Sequence, residues 1–129
     1  MFEKQLYWLQ NRTLIEVSGR DALKFLQNLI TNDLINIKTN LVYSALLTPQ
    51  GKYLFDFFIM KKNDQTFIID ISSGSKENFL NRMKLYQLRS DINIEEVNGR
   101  VGIGINKKPD DAFFDPRCKE LGWRQYFLG

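Results

Sequence analysis

Two apolar runs flank Thr48-Pro49-Gln50-Gly51 in the segment LVYSALLTPQGKYLFDFFIMK, residues 41–61. Proline presets φ for a turn and glycine accepts a positive φ, so the segment reads as a long β-hairpin. Alternate strand residues share a face, which points Tyr53, Phe55, Phe57 and Ile59 one way and Leu54, Asp56, Phe58 and Met60 the other. Both faces are apolar, as expected of a strand inside a packed sheet. One carboxylate, Asp56, then lies in the middle of a hydrophobic row. Its lost hydration is worth several kcal/mol, so it must be paired, hydrogen-bonded or protonated. Two readings stay open: Asp56 accepts backbone N–H groups or an arginine at a sheet edge, or it faces a ligand.

The rest of the chain supplies strands and two helices. Tyr7-Trp8-Leu9 and Thr13–Val17 read as short strands around the polar Gln10-Asn11-Arg12. Ser18-Gly19-Arg20-Asp21 has the form of a capping box, and Leu23, Leu26, Leu29 and Ile30, widened by Phe25, follow at helical spacing. Thr31-Asn32-Asp33 prefers caps and turns and should stop that helix. A strand over Thr66–Ile71 extends the sheet, and a second helix is predicted from Lys76 to about Gln87 with Phe79, Leu80, Met83 and Tyr86 inward. Ile92–Val97 alternates like a half-buried strand, and Asn98-Gly99 signals a hairpin to Val101–Ile105. Gly102-x-Gly104 is no nucleotide loop, because it precedes no helix. For the closing run through Trp123, Tyr126 and Phe127 there are two expectations: an edge strand completing the sheet, or an exposed segment whose partner lies in another chain. The order predicts one α+β domain over residues 1–129, a mainly antiparallel sheet with two helices close to a ferredoxin-like layer with added strands.

Composition removes several kinds of chemistry. No histidine occurs, which excludes Ser-His and Cys-His catalysis and the usual zinc sites. The single cysteine, Cys118, excludes an intrachain disulfide and fits a reducing compartment. The 18 basic and 15 acidic residues are interleaved, so the charge of +3 argues against direct nucleic-acid binding. No apolar run reaches the ~18 residues of a membrane span, and a cytoplasmic protein is expected. These features alone give an α+β domain with a carboxylate in an apolar row.

Ordered motifs add to that reading. Val17-Ser18-Gly19-Arg20-Asp21-Ala22, Phe25-Leu26-Gln27 and Thr31-Asn32-Asp33 are followed by Tyr43, by Leu46-Leu47-Thr48-Pro49-Gln50-Gly51-Lys52 and by Asp56; Asp115-Pro116-Arg117 and Leu121-Gly122-Trp123-Arg124 come last. The series resembles the YgfZ-type folate-binding proteins, relatives of the aminomethyltransferase T-protein of glycine cleavage. The resemblance implies a tetrahydrofolate-binding fold and a role in maturing or repairing iron–sulfur enzymes, and thereby in tRNA modification. In the T-protein branch the corresponding strand carries two aspartates, the second near the folate nitrogen that receives the one-carbon unit. Asp56 matches the second, whereas Phe55 replaces the first, which favours a folate-binding accessory protein over an enzyme. Asn32, Asp33 and Tyr43 match positions near the family pocket. Leu54 and Phe58, on the strand face of Asp56, complete the candidate cofactor-binding set, and no catalytic or metal-binding residue is predicted. The family's later K-G-C-[FY]-x-G-Q-E motif is absent, and Cys118 is not its cysteine. The resemblance therefore covers the N-terminal part of the family fold, and the expected partners are folate and either a separate C-terminal half or a second copy of the chain. A non-catalytic interaction module is the alternative, and the front half of an aminomethyltransferase a third.

Overall fold

The computed structural model describes residues 6–31, 34, 41–48, 50–88 and 90–129. Strands β1 (Tyr7–Leu9) and β2 (Arg12–Ser18) lead into helix α1 (Ala22–Leu29). The predicted hairpin is β3 (Val42–Leu47) with β4 (Tyr53–Asn63), and Gly51 in its turn has φ +85°. Strand β5 (Thr66–Ser72), helix α2 (Lys76–Tyr86) and strand β6 (Asn93–Val97) follow, then β7 (Gly99–Gly104), β8 (Phe113–Phe114) and β9 (Trp123–Leu128). Among the described residues every strand pairing is antiparallel. The architecture is the expected α+β one, and the added strands form a second sheet. Five strands lie in the order β3-β4-β5-β2-β6 and four in the order β1-β7-β9-β8.

The period-two pattern gives the larger sheet two buried faces. Ile15 and Val17 of β2, Phe57 and Ile59 of β4, and Phe67, Ile69 and Ile71 of β5 form one core with Phe25 and Leu26 of α1 and Phe79 and Met83 of α2. Each fully buried Phe or Ile there contributes roughly 1.5–3 kcal/mol of transfer free energy. The opposite face packs Leu14 and Ile68 against Val101 of the second sheet, with Met60 and Tyr126 at the margin. This face, between the sheets, carries Asp56 and Phe58.

Three local expectations give way to tertiary context. Asn98-Gly99 does not close a hairpin: β6 pairs with β2, whereas β7 pairs with β1 and β9, so the chain changes sheets at Asn98. The free edge of β2 takes β6, and Val101 is buried between the sheets. Gln10-Asn11 likewise divides β1 and β2 between the two sheets, with Arg12 already in the strand. The capping box does not form; the Asp21 carboxylate accepts the backbone N–H of Asp91 at 2.8 Å and ties the helix entry to the segment before β6. Gly19 beside it has φ +125°, and a Cβ there would stand 2.5 Å from the Asp91 carbonyl oxygen. Only glycine fits so close an approach.

At the other end, Trp123 is buried and donates its indole N–H to the Asn106 carbonyl at 3.0 Å. Strand β9 lies inside its sheet, paired on both sides, and is not an edge. Helix α1 gives way at Ile30, which bridges to Leu46 of β3.

Candidate functional site

Register places the polar residues of the inter-sheet face in one row. Tyr43 of β3 stands opposite Phe58 of β4, Phe58 opposite Asp70 of β5, and Asp70 opposite Leu14 of β2. Asp56 lies two residues before Phe58, opposite Ala45. The row therefore carries two carboxylates on one face, with the Phe58 ring between them.

Asp70 forms the inner cluster. It is 1% exposed and accepts three side-chain donors: Arg12 Nε at 2.6 Å on one oxygen, and Arg124 Nη2 and the Tyr126 hydroxyl, each at 2.7 Å, on the other. Arg12 also donates from Nη2 to the Asp70 carbonyl at 2.9 Å. Arg12 belongs to the larger sheet and Arg124 and Tyr126 to β9, so the carboxylate ties the two sheets together. Burial alone would depress the Arg124 guanidinium, but the Asp70 charge and hydrogen bond raise it above its ordinary value. Burial first, and then the Asp70 charge, push the Tyr126 phenol well above its ordinary value. The Arg124 guanidinium lies 4.1 Å from the Phe58 ring centroid, a favourable cation–π arrangement.

Asp56 forms the outer cluster and is only half-buried. The Tyr43 hydroxyl donates to its Oδ2 at 2.5 Å, a charge-assisted bond. That bond, followed by burial and the Asp56 charge, pushes the Tyr43 phenol from 10.0 up to about 12. Partial burial, then Asp56, also raises the exposed Tyr53. The Tyr43 ring leans on Phe58, with centroids 5.1 Å apart. Above both rings lies Arg117, its Cζ 5.0 Å from the Phe58 centroid and 5.5 Å from that of Tyr43. The buried Asp115 fixes Arg117 through Nη2 at 2.7 Å and Nε at 3.0 Å. Burial would raise the Asp115 carboxyl, but the hydrogen bonds and charge of Arg117 outweigh it and hold the pKa below its ordinary value.

Three of the predicted site residues, Tyr43, Asp56 and Phe58, come together in this outer cluster. Leu54 does not join them: β3 and β4 shift register near Leu46 and Leu47, and Leu54 packs with Phe55 toward the helix-side core, lining a shallow cleft against α2. Asn32 and Asp33 lie outside the described residues. The deeply buried carboxylate of the row is Asp70, not Asp56. Asp70 and its cations were absent from the expected site, although a carboxylate within Ile68-Ile69-Asp70-Ile71 carries the same signature as Asp56. Among the described residues no group of three potential metal ligands forms, and Cys118 is an exposed thiol 2.7 Å from Glu120 Oε2.

The outer cluster thus offers an acceptor carboxylate, a phenol and a guanidinium at a partly exposed edge, resting on a Phe58 ring that is itself buried. Such a set suits recognition of a flat polar ring. Among the described residues no helix is long and apolar enough to cross a membrane.

Comparison with known proteins agrees with the fold and the family resemblance. The GCVT N-terminal domain family matches residues 8–104. An "Iron-sulfur cluster assembly factor IBA57 homolog, mitochondrial" from Pyricularia oryzae is 37% identical over 131 residues, covering 90% of this chain and 34% of that protein. The equivalent homologue from Mycosarcoma maydis is 30% identical over 136 residues, covering 88% of this chain and 34% of its own length. The chain therefore spans about a third of these relatives. Glycine cleavage system aminomethyltransferase T from Bartonella henselae superposes with a TM-score of 0.69 at 18% identity, over 75% of this chain and 27% of that one, a likeness of fold. The match across residues 8–104 shows that the chain belongs to the GCVT N-terminal domain family.

Proposed function

We propose that this chain is a tetrahydrofolate-binding domain that serves the maturation or repair of iron–sulfur proteins, and through such enzymes tRNA modification. The observation that carries the proposal is the half-buried Asp56 carboxylate, held by the Tyr43 hydroxyl beside the Phe58 and Tyr43 rings. A pterin ring is rich in N–H groups, so a fixed acceptor beside the half-buried Tyr43 ring fits its chemistry. The iron–sulfur role rests on the relatives named as assembly factors, and the folate role on the family resemblance and on this acceptor.

Phe55 argues against the aminomethyltransferase reading. Its ring packs edge-on against Phe79 of α2 with centroids 5.7 Å apart, so the position of the first family aspartate is spent on the helix-side core. One carboxylate remains to contact ligand, which fits binding without turnover. Titration calorimetry of the chain with tetrahydrofolate tests the proposal. Saturable binding that Asp56→Asn weakens about tenfold, the worth of one charged hydrogen bond, is the expected result. No binding by a folded chain would refute it.

A second reading is an interaction module that docks another chain, either a separate C-terminal half or a second copy. Its support is the exposure of Ile105, Phe114 and Leu121 around the start of β9. Sedimentation of the chain would decide for it if the chain self-associates and Phe114→Ser abolishes the association.

A further inference from the structure

Among the described residues three guanidinium groups surround the Phe58 ring, and they are not equivalent. Arg12 and Arg124, at 5.9 and 4.1 Å from the ring centroid, are committed to Asp70. Arg117, at 5.0 Å, is tethered from the other side. The turn Asp115-Pro116-Arg117 delivers it: the Arg117 backbone N–H donates to Asp115 Oδ1 at 2.9 Å, Nε to the same oxygen at 3.0 Å, and Nη2 to Oδ2 at 2.7 Å. These bonds use one edge of the guanidinium. Nη1 makes no hydrogen bond among the described residues, and the side chain is 40% exposed whereas that of Arg124 is 7%.

The buried Asp115 gives the pair some worth for stability, about 1–3 kcal/mol on its removal. That accounts for the clamp on Nε and Nη2, but not for an open Nη1 held over two aromatic rings beside Asp56. Pre-organisation does, because a cation held in one orientation loses little entropy when it meets a ligand. Tyr43 touches both polar groups, its hydroxyl bonded to Asp56 and its ring under Arg117. Chiefly the Asp115 hydrogen bond, with smaller help from the Tyr43 and Asp56 charges, holds the Arg117 proton.

We infer that Arg117 is a ligand-contacting residue of the folate site proposed above, donating from Nη1 to the ring carbonyl oxygen of a reduced pterin, beside the one-carbon-accepting ring N–H that Asp56 accepts. The inference rests on that proposal and names the part of the ligand recognised. A pterin ring presents such a neighbouring N–H and C=O pair. The alternative, that Arg117 takes a carboxylate of the folate tail, meets two obstacles. One of the two paired edges that could grip a carboxylate is already taken by Asp115, and a further anion would face both Asp115 and Asp56.

The test compares wild type, Arg117→Met and Arg117→Lys, each first shown to unfold cooperatively, in calorimetric titrations with tetrahydrofolate and with tetrahydropterin lacking the aminobenzoyl-glutamate tail. Arg117→Met is expected to weaken both ligands by about tenfold, and Arg117→Lys, which keeps a donor but not the planar fork, by less. A loss confined to tetrahydrofolate, unchanged affinity for both, or a wild-type chain that holds tetrahydrofolate but not the bare ring overturns the inference while leaving the folate proposal standing. A folded wild-type chain that binds neither compound removes the folate proposal and this inference together. If Arg117→Met does not fold, Arg117→Lys decides, and unchanged affinity for both ligands overturns the inference.

Discussion

Asp70 and Asp56 lie on one face of one sheet, either side of the Phe58 ring, and have opposite surroundings. Asp70 is sealed and accepts two guanidiniums and a phenol from two strands. Asp56 is half-buried and accepts the Tyr43 phenol, with Arg117 nearby but bonded elsewhere. A carboxylate with three donors and no solvent access has no room for a ligand and serves the fold. An unsaturated one at a half-open edge can exchange water for ligand at little structural cost. Burial is therefore a poor guide to which of two carboxylates binds a ligand. Remaining acceptor capacity is the better one.

The largest expected effect separates the two at once. Asp70→Ala should destabilise the chain by about 3–5 kcal/mol in urea unfolding, because it leaves the Arg124 guanidinium buried without its counter-charge. Replacing Arg12, Asp70 and Arg124 together by Met, Leu and Met should recover most of that loss, since apolar groups of similar volume often substitute for a buried ionic cluster. If Asp70→Ala were neutral, the contrast between a carboxylate that holds the sheets together and one with acceptor capacity to spare would collapse.

Asp115→Ala comes next, at about 1–3 kcal/mol, the range for leaving hydrogen-bonded donors without their buried acceptor. It should also change the acid limb of the stability profile. The folded Asp115 pKa is depressed from 3.8, so its contribution is fully present above that value and is lost as pH falls through the lower folded value. Wild type should therefore lose stability below about pH 4 more steeply than Asp115→Ala. Parallel acid limbs in the two proteins would show that Arg117 does not hold this carboxyl.

Much of this contrast was legible along single strands, and the rest depended on partners remote in the chain. Alternating apolar residues with Thr48-Pro49-Gln50-Gly51 marked the β3–β4 hairpin, and a lone carboxylate in that row marked Asp56. The same logic applies to Asp70, but its saturation depends on cations 58 and 54 residues away, which no local pattern reveals. Sheet membership was hidden for the same reason. Alternation marks β6 and β7 as strands without saying that they pair in different sheets, so Asn98-Gly99 looked like a hairpin and is a crossing. Leu54 matched Asp56 by simple alternation, and the register shift near Leu46 and Leu47 turned it to the other side.

The smallest stability effect is expected at Asp56, and it sharpens the comparison because a spectroscopic change accompanies it. Asp56→Asn should change the unfolding free energy by under about 1 kcal/mol, since the site is partly solvated and Asn still accepts the Tyr43 hydroxyl. It should nonetheless lower the Tyr43 titration from about 12 toward 10.0, followed by tyrosinate absorbance, because the anion that most disfavours the phenolate is gone. The sign for stability follows from linkage. A raised folded pKa means that the native state keeps a proton the unfolded chain releases, so the Tyr43 contribution is present below pH 10 and is lost as pH rises toward 12. Wild type should accordingly lose stability more steeply than Asp56→Asn across that window. An unmoved tyrosine titration would mean that the Tyr43–Asp56 bond does not persist in solution, and Asp56 would then lose the anchor that makes it a preformed acceptor.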